Sequence, residues 1–529
     1  MMVRAPASAL LAALVAASTV HAAPQEAPAA SGEAAAAPTD APPEGAVDEA
    51  ATRTLTLKEC VLFALANNLG LRASALDPDI ARALAEAEKG IFDPVLSGRG
   101  SHSKSESPTG SLIDGAAVNT SDVRALELGV SQLTPVGSVL GVRYNQRRFA
   151  TNSRFATLNP SYSGSVTFEA RQPLLKGGWL PFNESGVRSA RNTVDISEFR
   201  HRRAGEELAF RVFESYWDLV FFLEDVEVKK ESLRLAEEEL SITRNKIETG
   251  VLAERDIFFS QTSVASRKAD LVAAENLARN AADVLKRLIL PLDRLASWDV
   301  GVAPAERPTS VVRYPVPDWV ESARVAFERR PEILESRLDL DNKRIAVKAA
   351  ENQALPTVDV FGSFAANALN DRLDRNFSDI GNSDFETWTL GIEVELPWGL
   401  RAGRSRVVAR RIEVRQALLA YADLQNQIVS EVRDATRSIE SAWEVIQFTR
   451  EATVSAQNQL EAEREKFRVG TTTQYQVLLV QNDLAEARRD ENRSRKDYRV
   501  ALARLRLAQG QILESPELGI VFPPEDGRP

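Results

Sequence analysis

Leu208 to Ile247 reads LAFRVFESYWDLVFFLEDVEVKKESLRLAEEELSITRNKI, and Ile428 to Phe467 reads IVSEVRDATRSIESAWEVIQFTREATVSAQNQLEAEREKF. In the first stretch apolar or small residues recur at Leu208, Val212, Ser215, Leu219, Phe222 and Val226, then at Leu233, Ala236, Leu240, Thr243 and Ile247. Lys229 interrupts the series. The second stretch repeats it 220 positions later, from Ile428, Val432, Ala435 and Ile439 through Ala456 and Leu460 to Glu463 and Phe467. A four-three spacing of this kind specifies a helix that packs along its whole length on a neighbour, with a left-handed supercoil. One chain that carries the seam twice, without a slip, is built from a duplicated unit.

Each seam stops at a similar break, Lys246-Ile247-Glu248-Thr249-Gly250 and Lys466-Phe467-Arg468-Val469-Gly470. Glycine takes a left-handed helix terminus at least cost, and a basic residue in the last turn suits the negative helix end. The spacing therefore predicts two antiparallel helical hairpins with tips at Gly250 and Gly470. Their outgoing helices, Ser189 to Thr249 and Gly403 to Val469, are each roughly 90 to 100 Å long at 1.5 Å per residue. The return helices, Ala253 to Leu290 and Thr473 to Gln509, are shorter, roughly 60 Å. Two further helices, from Thr56 toward Ile91 and from Asp318 to Leu355, supply the missing length. Thr56 and Glu59 form a capping box at the first of these. A shift of 262 lays Ala64 on Ala326, Asn68 on Arg330 and Pro94 on Pro356.

Between the helices the texture changes to alternating runs and Gly-, Ser- and Asn-rich turns, which predicts strands. The first copy offers Val95 to His102, Arg124 to Leu133, Ser138 to Phe149 and Ser161 to Gln172, and the second only Thr357 to Ala366 and Thr387 to Leu396. Aromatics such as Phe168, Phe364, Trp388 and Trp398 suit either the core of a soluble sandwich or the girdle of a membrane barrel. Strands of about 10 residues also match a tilted membrane crossing.

Residues 1–22 read as a cleaved signal peptide and 23–53 as a disordered Ala/Pro-rich linker. The first structural repeat then spans 54–292, with its β segment at 95–172. An equatorial connector follows at 293–317, the second repeat at 318–512, with its β segment at 357–396, and a C-terminal tail at 513–529. Cys60 is the single cysteine, so no intramolecular disulfide forms, and the residue is expected to be small and buried. Three histidines give no metal cluster, and no cofactor is expected. A net charge of -10 with both signs mixed along the helices leaves no basic stripe for nucleic acid. Beyond the leader there is no apolar run long enough for a transmembrane helix. An enzyme is a distant reading, since acids such as Asp218, Glu224 and Glu275 belong to solvated helix faces.

The chain resembles the TolC-like outer-membrane efflux proteins over about residues 54 to 512. Leu55-Thr56-Leu57-Lys58-Glu59 with Ala64-Leu65-Ala66-Asn67-Asn68, Gln172-Pro173-Leu174-Leu175-Lys176-Gly177, Ser215-Tyr216-Trp217-Asp218-Leu219, Arg330-Pro331-Glu332-Ile333 and the paired glycine tips carry the likeness. It implies a membrane α+β fold: a homotrimer whose outer-membrane β-barrel is continued by a long periplasmic α-helical barrel. Such a protein is a passive exit duct, in contact with outer-membrane lipid, that docks to a periplasmic adaptor and an inner-membrane transporter for efflux of small molecules or type I secretion. The alternative is an exported coiled-coil adaptor or structural rod without a barrel. The resemblance assigns adaptor docking to Gly250, Val251 and Leu252 and to Val469, Gly470 and Thr471, which a plain inter-helix turn would also explain. It assigns the entrance constriction to Asp256, Thr472, Gln476 and Leu479, with fewer charges than the family's pattern. Four strands in the first copy would give a trimer 18 strands and two would give 12; the length between prolines favours four.

Overall fold

The computed structural model describes residues 53–108, 110, 118–250, 253–291, 298–306, 311–382 and 385–514. The expected signal peptide, nearly all of the linker, and the tail from residue 515 lie outside the described residues. The described chain forms two compact units. One holds residues 82–192 and 341–416, the other 53–81, 193–340 and 417–514, so each draws on both sequence copies.

The first unit is organised by one antiparallel sheet of β2 (Val95–Pro108), β3 (Val118–Leu133), β4 (Val139–Thr151), β5 (Ser161–Pro173), β7 (Thr357–Asn370) and β8 (Phe385–Glu395), in that spatial order. All six expected strands are present, and each of the first five runs beyond its sequence-based bounds. At 11 to 16 residues they are long enough to cross a bilayer at a tilt. Register sorts their side chains into two faces. Val130, Val142, Phe168, Phe364 and Trp388 are successive cross-strand partners on one face, and Leu128, Tyr144, Val166 and Ala366 form the next row. The opposite face carries Glu127, Asn145, Ser165 and Asn367 in one row, with Arg171 bonded to Asp359 at 3.0 Å and Glu393 at 2.7 Å in another. A polar face backed by a face of exposed Leu, Ile, Val and Trp is the pattern of a sheet with water on one side and hydrocarbon on the other.

The connection from β7 to β8 contains a helix that the sequence pattern did not announce, α8 (Leu373–Asn382). It lies on the apolar face. Asn376 is buried there and donates through Nδ2 to Tyr162 O at 2.8 Å, Phe377 stacks on Tyr144 with ring centres 5.7 Å apart, and Ile380 covers Ala366 and Ala368.

In the second unit β1 (Arg53–Leu55), at the start of the expected first repeat, pairs in parallel with β6 (Val302–Pro304), which lies in the region expected as the connector. The helix expected from Thr56 onward is broken into α1 (Leu57–Asn67), α2 (Leu69–Ser74) and α3 (Asp77–Lys89). Its counterpart is broken into α6 (Trp319–Arg329) and α7 (Pro331–Gln353). The breaks fall at Asn68 (φ -63, ψ 120) and Arg330 (φ -64, ψ 127), the pair related by the 262 shift. The causes differ. Pro331 drives its predecessor out of the helical region, whereas Asn68 caps the next helix by accepting from Leu71 N at 3.1 Å. The Thr56–Glu59 capping box is formed reciprocally, as expected. Cys60 is fully buried, and burial pushes its thiol up to about 12, aided by the Glu306 and Glu59 charges.

The long helices are α4 (Ser185–Glu248), α5 (Ile257–Ile289), α9 (Arg401–Arg468) and α10 (Gln474–Ala508). At 64 and 68 residues, α4 and α9 reach about 96 and 102 Å. Packing orders them α5, α4, α10, α9. The α4 seam residue Val226 packs on Ala274 and Ala278 of α5, and Leu208 and Val212 share a core with Leu285 and Ile289. On its other flank α4 meets α10, where Arg499 lies 3.9 Å over the Trp217 ring and Lys496 pairs with Asp218 at 3.0 Å. The seam of α9, with Ile428, Val432, Ala435 and Ile439, packs on Tyr498, Ala501 and Leu505 of α10.

Candidate functional site

Both outgoing helices end in a left-handed glycine, Gly250 at φ +79 and Gly470 at φ +84. A Cβ at either position would meet no atom within 4 Å, so backbone conformation and not crowding selects glycine. At the second tip Gly470 N donates to Phe467 O at 3.2 Å and Thr471 N to Lys466 O at 2.9 Å. That bond pair satisfies the last carbonyls of α9. Thr473 then caps α10, its hydroxyl accepting from Gln476 N at 3.4 Å.

Three polar ties join the two hairpins near these tips. Lys246 donates to Phe467 O at 3.0 Å, and its ammonium lies 3.6 Å from the centre of the Phe467 ring. Gln474 donates to Thr243 at 2.7 Å and also to Ser260, while Thr243 and Ser260 are 3.2 Å apart; all three side chains are buried. Farther along, Arg267 donates to Asn482 at 3.0 Å. Polar groups buried at seam positions are favourable only while bonded, so this cluster makes contact between α4, α5 and α10 all-or-none. Glu463 accepts from Thr472 at 2.5 Å and pairs with Lys466 at 3.1 Å; these bonds hold its carboxyl below the usual range.

Of the docking residues assigned from sequence, Gly250, Val469, Gly470 and Thr471 are exposed, and Val251 and Leu252 lie outside the described residues. Among the constriction residues, Asp256 closes a short turn before α5, 3.9 Å from Arg255. Thr472 is occupied with Glu463, Gln476 is half-buried and Leu479 is exposed. Asp256 lies in the short turn that follows the first tip, and Gln476 in the first turn of α10 after the second. Sequence reasoning passed over Phe258, Phe259 and Tyr475, which stand 60 to 66 % exposed just beyond the tips. Their signal was available: two adjacent aromatics, Phe258 and Phe259, stand just before the buried Ser260 and off the buried face it shares with Val264. Among the described residues no group of His, Cys, Asp and Glu could hold a metal ion.

The family model described as outer membrane efflux protein matches residues 63–289 and 323–511, well over half of the chain. The chain belongs to the outer membrane efflux protein family. The efflux protein is 23% identical over 363 residues to the outer membrane protein TolC of Vibrio cholerae serotype O1, covering 66% of this chain and 79% of that one. It is 23% identical over 359 residues to the alkaline protease secretion protein AprF of Pseudomonas aeruginosa, covering 67% and 71%. Among solved structures, the Campylobacter jejuni CmeC outer membrane channel superposes with TM-score 0.64 at 16% identity over 86% of each chain. The Vibrio cholerae outer membrane protein VceC gives 0.62 at 16% identity, over 86% of this chain and 96% of that one. The efflux protein is thus an outer-membrane transport channel with the fold of these proteins. The family match and the continuous two-faced sheet set aside the barrel-free rod.

Proposed function

We propose that three copies of the chain close into a passive exit duct, gated at the hairpin tips and joined there to a periplasmic adaptor and an inner-membrane transporter. The two-faced sheet with unpaired edges carries this reading. β2 and β8 end the strand order and are exposed along their length. Open edges demand partners, and cyclic closure provides them. Six antiparallel strands per chain let β8 of one copy meet β2 of the next without a parallel join. Three copies then give 18 strands, for a barrel roughly 35 Å across between backbones, against roughly 24 Å for 12. No chemistry is asked of the chain; cargo passes through it.

The tips act as the entrance. Gly250 and Gly470 let a partner helix approach the backbone closely, and Phe258, Phe259 and Tyr475 offer apolar surface beside them. The Thr243–Ser260–Gln474 cluster and the Lys246–Phe467 tie hold the hairpins of one copy together, so a gate opens by releasing them. Asp256 and Gln476 line the closed constriction.

Two measurements test this reading. A thiol probe should label Glu127→Cys from water and leave Leu128→Cys to lipid-soluble reagents, with Cys60 silent because it is buried; equal aqueous labelling of both would sink the barrel. Crosslinking Asp256→Cys to Gln476→Cys should stop export, and undiminished export at complete crosslinking would remove the gate.

A further inference from the structure

We propose that the apolar face of the sheet carries, at its distal border, a site for the phosphate group of a membrane lipid, formed by His102, Arg124 and Arg148 around Asp122. The inference rests on the barrel reading, which makes that face the lipid-facing one. Register sets the three cationic or protonatable side chains in one row, since His102 opposes Arg124 and Arg124 opposes Arg148. Like charges directly opposite on neighbouring strands repel, so such a row calls for an anion. The protein supplies one carboxylate. Asp122 Oδ1 lies 3.4 Å from His102 Nε2, 3.8 Å from Arg124 Nε and 3.6 Å from Arg148 Nη1. That oxygen is buried and makes no hydrogen bond to any of them, so the two guanidinium forks keep donors for a second anion. Lys104, one row farther out and opposite Asp122, is engaged with Glu106 at 2.9 Å.

The position of the row chooses the kind of anion. Immediately below Arg124 on the same face come the exposed Leu126, Leu128 and Val130; below Arg148, after Gln146, come Tyr144, which Phe377 of α8 covers, and Val142. Arg148 to Val142 is six residues, about 20 Å of strand. Below His102 the same face of β2 holds Gly100, where a Cβ would meet nothing within 4 Å, and Gly98, against which the Leu128 side chain leans. A phosphate at the row therefore has hydrocarbon-compatible surface directly beneath it. A soluble phosphate would use the cations and leave that surface idle.

Full-length protein in detergent micelles doped with phosphatidic acid or phosphatidylcholine provides the test. Wild type should retain phosphatidic acid at least tenfold over phosphatidylcholine, and Arg124→Gln with Arg148→Gln should cut the preference below twofold. Arg143→Gln with Arg147→Gln, which removes the same charge from the polar face, should keep it. Arg124→Gln alone serves if the double variant does not fold, with a loss of at least threefold expected. Equal binding of the two lipids by wild type, an unchanged preference in the variants, or full displacement by millimolar inorganic phosphate would overturn the proposal. Heat-modifiable migration of each variant keeps the barrel separate: an intact oligomer without lipid preference fails only this site, whereas absence of the oligomer in wild type fails the barrel.

Discussion

α4 and α9 share a heptad seam position for position, yet they are buried differently. On α4 a second stripe, Phe213, Trp217 and Phe221, is buried beside the seam, and Asp225 is 3% exposed. The residues 220 positions on are Arg433, Arg437 and Ser441, all exposed, and Val445 at 47%. The seam of α4 faces α5 and its second stripe faces α10, where Arg499 lies over Trp217 and Arg493 over Phe221. Among the long helices α9 packs its seam on α10 alone, with α6 and α7 covering part of it through Ala326 and Ile333, and a remaining flank shows Val445, Phe448 and Val454 to solvent. α5, at the other end of the order, shows Val272, Leu277 and Val284. A duplicated helix thus occupies an inner place in one copy and an outer place in the other. In the closed ring proposed above, α5 of the next copy would complete the outer place.

Reversing the apolar character of the outer flank gives the largest expected effect. Phe448→Glu would place a carboxylate in the joint between copies, an unpaired charge costing several kcal/mol. The oligomer should be lost while the monomer's helical circular dichroism is kept; a heat-modifiable oligomer at wild-type level would show that this flank of α9 meets no other copy. Trp217→Ala attacks the inner place. It removes a buried ring from the α4–α10 contact and should cost about 3 to 5 kcal/mol in chemical denaturation, with the monomer itself less stable. The two variants separate a contact between copies from one within a copy.

The tips sharpen the comparison at smaller scale, because Gly250 and Gly470 share one backbone conformation. Alanine at either should cost about 1 kcal/mol from the left-handed backbone alone, since neither Cβ would touch anything. Any loss of export beyond that small stability loss would report a partner that needs the bare backbone. If export survives both replacements, the glycines are plain turns.

Much of this was legible in advance. The seams, both glycine tips, the capping box and all six strands follow from periodicity, because each is dictated by residues within a few positions of one another. The breaks at Asn68 and Arg330 were visible as landmarks but not as breaks, since Arg330-Pro331 announces one and Asn68 does not. α8 escaped because Asn376 and Ile380 are bound by a sheet face that exists only after β5 and β7 pair. The Gln474 ties to Thr243 and Ser260 span 231 and 214 residues. Thr243 is a small residue of the seam pattern, and nothing local says that a glutamine would reach it and Ser260. The second stripe of α4 was written in the sequence as Phe213, Trp217 and Phe221, but a search for the period shared by the two copies passes over what only one copy has.

The smallest test concerns Glu239 of α4, whose counterpart in α9 is Gln459. Glu239 is 4% exposed and its Oε1 lacks a hydrogen-bond partner, whereas Gln459 is exposed. Burial raises the Glu239 carboxyl above its ordinary value, against the pull of Arg464 and Lys246. A carboxyl raised on folding gives its full stability below the unfolded value, near 4.3, and loses it as pH rises through the folded value. Glu239→Gln has no such loss. It should match wild type at pH 4 and exceed it at pH 7.5 by roughly 1 kcal/mol at most, read as denaturation midpoints at the two pH values. A new carboxylate at the outer place, Gln459→Glu, should leave the pH dependence of those midpoints as it is in wild type. If the two profiles coincide, position 239 is no more enclosed than position 459, and the distinction between an inner and an outer helix fails at this level of the hairpin.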